Sequence, residues 1–203
     1  MTPDPRATEV LEFWFGPSWD DPSRTSERSG LWWGGREHDG PISERFGALV
    51  EAAAADALDD WAITPEGALA LVIVVDQFRR NVFRGRAEAF GDDARSLALS
   101  LRAQDEGWDR DLPPVPRVFL YMPMQHAEDI VVQDRAVQVF QALADEQPDA
   151  IKGVLQGFAD YAHTHRDLIA RFGRFPHRNP ILGREPSAEE TAYLNDGGAT
   201  FGQ

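Results

Sequence analysis

Cysteine is absent from this chain, which removes disulfides, thiolate nucleophiles and cysteine-ligated zinc in one step. Lysine is nearly absent: nineteen of the twenty basic residues are arginine, and Lys152 stands alone. A GC-rich genome explains that bias as readily as arginine's planar donor fork does. Positive charge is itself scarce, with 20 basic against 34 acidic residues and a formal net charge of −14. A field of that sign repels nucleic acid and anionic membrane surfaces, because binding either one requires that phosphate charge be neutralised. Neither is expected as a partner. No apolar run approaches the roughly 18 residues that cross a bilayer, and the N-terminal MTPDPRATEV lacks the basic-then-apolar order of a secretory signal. A soluble, cytoplasmic protein is expected. Missing too are a G-x-S-x-G elbow, a phosphate-binding P-loop and a dinucleotide-binding glycine fingerprint, so the usual serine hydrolases, P-loop NTPases and Rossmann oxidoreductases lose their support.

What is present reads as helix. The 203 residues, 42% of them apolar, suffice for one proper core, and no linker divides them, so a single helical domain over residues 1–203 is expected. Asp4-Pro5 opens a helix that Gly16-Pro17 stops. Residues 17–40 look irregular, anchored by Trp19, Trp32 and Trp33. Pro41 opens a second helix to about Trp61, and Thr64-Pro65 a third whose core, ALALVIVVDQF, is apolar on every face and fits a central helix better than a buried strand. Further helices are predicted from Asp92 to Gly107, briefly over Pro116–Tyr121, and over 127–146. The longest runs from Pro148 to Gly173, with Ile151, Leu155, Phe158, Ala162, His165, Ile169 and Phe172 on one stripe. His165 is thereby buried, while His163 lies about 200° away by the 100° step and is solvated. Ser187-x-x-Glu190 is a capping box for a terminal helix. The fold class is all-α.

Three segments put polar residues where the pattern calls for apolar ones. In DQFRRNVFR (76–84), i,i+4 spacing faces Asp76 to Arg80 and Gln77 to Asn81. In FLYMPMQHAED (119–129), Pro123 should prevent a continuous helix and leave His126, Glu128 and Asp129 at a turn into the next one. There the two acids suit the positive helix end, and His126 beside Glu128 forms a candidate acid/base pair. In RFGRFPHRN (171–179), Gly173 suits a left-handed C-cap and Arg171 a helix C-terminus. That role leaves Arg174, His177, Arg178 and Asn179 without an obvious one.

Charge is unevenly spread. Residues 76–86 are net +3 and 163–184 net +4, leaving −21 for the rest. Such islands either pair with the chain's own acids or converge on an anionic ligand. A metal is not expected: no H-E-x-x-H or His-x3-His pair exists, and the arginines near His126, His165 and His177 would repel a cation.

With WFG near the N-terminus, DQFRRNVFR, FLYMPMQHAED and HRDLIARFGRFPHRNPILGR, the chain resembles the bacterial family catalogued as domain of unknown function 924, from about Pro5 to Phe201. The resemblance implies a multi-helix fold similar to tetratricopeptide-repeat superhelices and supplies no catalytic residues to carry over. Family members usually read D-Q-F-P-R-N where this chain has Arg79 in place of the proline, which removes an expected helix break. They also usually read H-S-E where this chain has Ala127, which removes a hydroxyl.

Together these readings point to a polar pocket that binds a small anionic metabolite and acts on it. Asp76, Arg80, Asn81, Arg84, Arg174, Arg178 and Asn179 would hold the ligand, His165 and His177 would line the site, and His126 with Glu128 would move a proton. The alternative is a helical scaffold for a protein or peptide partner, with the same polar motifs serving as structural ion pairs.

Overall fold

The helices after Asp4, Thr64 and Ser187 begin at a capping side chain followed by a proline or an acidic first turn. The computed structural model describes residues 4–17, 19 and 28–201. The Asp4 carboxylate accepts from the Arg6 amide and caps α1 (Pro5–Phe15), with Pro5 in the first turn, where its missing N–H costs nothing. The segment read as irregular carries a short α2 (Ser29–Trp33) and a 3-10 turn over Gly35–His38; Ser18 and residues 20–27 lie outside the described residues. Trp19 and Trp32 pack on the core, and Trp33, though 54% exposed, lays one face on the buried Phe119 ring at 6.4 Å.

The second helix, α3 (Asp39–Ala54), ends earlier than Trp61. Arg95 donates to the Ala53 carbonyl and pairs with Asp56 and Asp59, so the chain turns there before a 3-10 turn at Asp59–Trp61. Thr64 accepts from the Gly67 amide and caps α4 (Pro65–Val72). The rod continues as a π-helix over Ile73–Phe78 and finishes as α5 (Arg79–Val82). It is helix throughout, as its capping indicated.

α6 (Asp93–Asp105) is followed by α7 (Pro114–His126), which corrects one expectation: Pro123 lies inside a helix that does not stop. A proline mid-helix costs about 3 kcal/mol. Here α7 is buried along nearly its whole length, against α4, the π segment and α6 and against two later helices, and that packing outweighs the lost bond. These two are α8 (Ile130–Asp145), capped by Asp129, and α9 (Asp149–Phe172). Three residues join them, and they pack as a hairpin. α10 (Ala188–Asn195) carries the complete Ser187/Glu190 capping box.

The architecture is all-α. The rod packs on α1, α3, α6 and α7, so the two segments buried along most of their length, the rod and α7, are the central elements. One apolar cluster runs from Ala7 to Ala162, and a smaller one gathers Leu168, Ile169 and Phe175 with Tyr193 and Phe201. Among the described residues no helix is long and apolar enough to cross a membrane.

Candidate functional site

The π-helical turn is where the site starts. A π turn widens the helix locally and recurs at functional sites, and this one holds Asp76 and Gln77. Asp76 is fully buried. One carboxylate oxygen accepts from His126 Nδ1 at 2.7 Å and from Arg80 at 3.3 Å; the other accepts from the Gln77 amide. Burial alone would raise its pKa. The charge of Arg80 and the hydrogen bonds from His126 and Gln77 override burial and hold the carboxyl well below the ordinary range. The His126 pKa is lowered as well: burial, then the Arg80 charge, depress it against the pull of Asp76. The stable arrangement near neutral pH is a carboxylate accepting Nδ1–H from a neutral imidazole, with Nε2 carrying the lone pair.

From Asp76 an ion-pair chain runs outward. Arg80 also donates to Asp93 at 2.7 Å, and Asp93 in turn accepts from Arg178 at 3.1 Å. The Arg178 guanidinium lies 4.6 Å from both the Phe90 and Phe175 rings; burial and the like charge of Arg80 depress its pKa to about 10. Separately, Asp39 takes Arg84 through two hydrogen bonds of 2.7 and 2.9 Å, and Asn81 through a third of 2.9 Å.

Glu128 does not serve His126. Its oxygens accept from Arg184 at 2.6 and 3.0 Å and from the Phe175 amide at 2.8 Å, pinning the 173–184 loop to the α7–α8 turn. The partner of His126 is Asp76. Arg174 is likewise occupied, on Glu190 at 2.6 and 2.8 Å, and the Asn179 side-chain oxygen accepts from Arg184.

The histidines do gather. The His126 and His165 rings lie 6.4 Å apart; His165 donates its Nδ1–H to the Tyr161 carbonyl and stacks on Phe201 at 3.8 Å. His177 lies 5.4 Å from Phe201. Desolvation pushes His165 down to about 3 and His177 to about 4, so both are neutral near pH 7.

Beside this cluster is a cavity of about 310 Å³. His126, Gln125, Gln77, Arg80, Asn81 and Arg84 form its polar side, while Trp14, Trp32, Trp33, Tyr161 and Phe201 form its aromatic side. Gln125 is only 3% exposed, yet its amide nitrogen has no hydrogen-bond partner among the described residues, and the same holds for the indole nitrogen of Trp14. Of the sequence-predicted residues, Arg80, Asn81, Arg84, His126 and His165 line the cavity, and Asp76 stands behind His126. Arg174, Arg178, His177, Asn179 and Glu128 are not in its wall. Asp39, Asp93 and Gln125 escaped the sequence reading. The two positive islands implied acidic partners for the arginines without saying which of 34 acids they were.

Residues 10–198 match the family described as bacterial protein of unknown function (DUF924). The chain belongs to this family. A solved structure of a protein of unknown function from Agrobacterium tumefaciens is similar to it, with a TM-score of 0.80 and 34% identity over 95% of this chain and 98% of the other. No curated protein matches. In this DUF924 chain Arg79 follows the π turn, and its amide bonds the Val74 and Asp76 carbonyls, bonds that a proline would forfeit. The Ala127 carbonyl, at the position of the lost hydroxyl, accepts from Gln133 at 2.8 Å.

Proposed function

We propose that this protein binds a small anionic metabolite in the cytoplasm, in the cavity beside His126, and that His126, oriented by Asp76, takes a proton from it. One observation carries the reading: Gln125, buried in the cavity wall next to the held imidazole, offers an amide donor that nothing in the described chain accepts. A buried donor without a partner costs about 1–3 kcal/mol, and a ligand oxygen would recover it. The Trp14 indole is a second donor of the same kind.

The charges narrow the ligand. Arg80 and Arg84 line the cavity but are already met by Asp76, Asp93 and Asp39. Recognition then rests on directed donors more than on net positive field, which suits a carboxylate or another monoanion better than a polyphosphate. With Nδ1 committed to Asp76, His126 has Nε2 to act as base, and Asp76 stabilises the imidazolium that forms.

The test is a thermal-shift and NMR titration with short mono- and dicarboxylates and with inorganic phosphate, on the wild type and on Gln125→Met and His126→Gln. Saturable binding that weakens at least tenfold in both variants supports the reading. Failure of every compound to saturate, or variants that bind as the wild type does, would sink it.

A second reading, a helical scaffold for a protein or peptide, draws on a different observation. Most of the arginines singled out in the sequence end on carboxylates of this chain, as a packing network would. It expects no small anion to bind.

A further inference from the structure

On its aromatic side the cavity adjoins a second depression. Trp33 and Tyr161 line both. The second is a shallow groove of about 430 Å³ whose other walls are Val154, Gly157 and Phe158, with no charged side chain among them. Trp33, Val154 and Tyr161 are 54%, 51% and 41% exposed, unusual for large apolar side chains that could have been turned inward.

Gly157 lies inside α9 and, unlike Gly153 one turn earlier, in the groove lining. Glycine inside a helix is disfavoured, and it is normally kept there because a neighbour comes too close for a side chain. Among the described residues there is no such neighbour: a Cβ built on Gly157 would meet nothing within 4 Å. What the missing side chain provides is open space along the groove floor, between Val154 and Phe158 on one helix face.

Resting on the reading of the cavity as an anion site, we infer that the ligand is amphipathic: a carboxylate or similar monoanionic head beside Gln125 and His126, and an unbranched or aromatic apolar tail lying along Trp33, Val154, Gly157, Phe158 and Tyr161. The two aromatic residues common to both depressions, Trp33 and Tyr161, set the order of head and tail. Size favours a tail over a protein partner, since three exposed apolar side chains fall well short of the roughly 1,000 Å² that a specific protein interface buries.

The experiment uses straight-chain carboxylates from butanoate to decanoate, with affinity read from tryptophan fluorescence and amide shifts in the full chain. Two variants are compared with the wild type: Gly157→Leu, which fills the groove floor, and Gly153→Leu, one turn earlier on α9, outside the groove lining and equally free of close neighbours. Both replace a helical glycine with a better helix former, so neither should unfold the protein. In the wild type and in Gly153→Leu, affinity should rise about two- to fourfold per methylene, as burial of a CH2 group implies. In Gly157→Leu the rise should vanish while butanoate binds as before. Short acids that bind with no dependence on chain length overturn the tail and leave the anion site standing. A length dependence that survives Gly157→Leu also overturns it. If no acid of any length binds, the anion site itself falls, and the tail with it.

Discussion

Arg80 and Arg178 are held by the two oxygens of one carboxylate, that of Asp93, at 2.7 and 3.1 Å. Both guanidiniums are more than nine-tenths buried, and both lie against the Phe90 ring, at 5.3 and 4.6 Å. Two motifs far apart in the chain are therefore joined by the first residue of α6. Asp93→Asn keeps the shape and removes the charge between two like cations. It should cost on the order of 3 kcal/mol in urea unfolding at neutral pH. Asp134→Asn, which breaks a half-exposed pair with Arg166, should cost below about 1 kcal/mol. Equal losses would mean that Asp93 is only another surface acid.

The Asp76–His126 bond fixes a tautomer. Nitrogen chemical shifts of the imidazole should place the proton of wild-type His126 on Nδ1 near neutral pH, with Nε2 unprotonated. In Asp76→Asn the carboxylate acceptor is gone, and the proton should distribute between the two nitrogens. A wild-type ring protonated on Nε2 alone would remove the proposed role of His126 as a base.

Acid should destabilise the fold before its carboxylates titrate. His165 and His177 are held neutral by burial, with pKa values lowered to about 3 and about 4. An unfolded histidine takes up a proton below about pH 6.5. Between that value and about pH 4 the unfolded chain therefore binds more protons than the folded one, so stability is complete above this window and falls as pH drops through it. Each histidine contributes a slope of up to about 1.4 kcal/mol per pH unit. The acids work lower: Glu190, brought down to about 2 chiefly by Arg174, loses its contribution only as pH falls toward that value. Urea midpoints at pH 7 and pH 5 should diverge less in His177→Gln than in the wild type, and an unchanged gap would refute the assignment.

Gly173 ends α9 at φ +70, its amide bonding the Ile169 carbonyl at 2.8 Å. A Cβ there would meet nothing within 4 Å, so Gly173→Ala isolates backbone strain. A loss of about 1 kcal/mol is expected in chemical denaturation. No loss would show that the turn does not depend on the left-handed residue.

Elements announced by local chemistry were legible in the sequence. Asp4, Thr64 and Ser187 cap the helices they were expected to cap, and His165 lies on the buried stripe of α9. Pro123 misled, because its effect depends on how much packing surrounds the helix, and that is a property of the whole fold. The site was legible only in half. Asp76 with Arg80 follows from helical spacing, whereas the bonds of His126 to Asp76, Glu128 to Arg184 and Asn81 to Asp39 span 50, 56 and 42 residues. Spacing rules do not reach across such intervals, and nearness in sequence made Glu128 the wrong partner for His126.

The π turn at Ile73–Phe78 takes up about one residue more than the α-helix on either side of it would over the same rotation. Removing one residue from that turn would let the rod run on as α-helix and leave Arg79–Val82 in nearly the same angular phase. Arg80 and Arg84 would still face Asp93 and Asp39, whereas Asp76 and Gln77 would be drawn into the tighter spiral. Homologues without the extra residue should therefore keep the arginine pairs and differ in how the residue at position 76 meets His126.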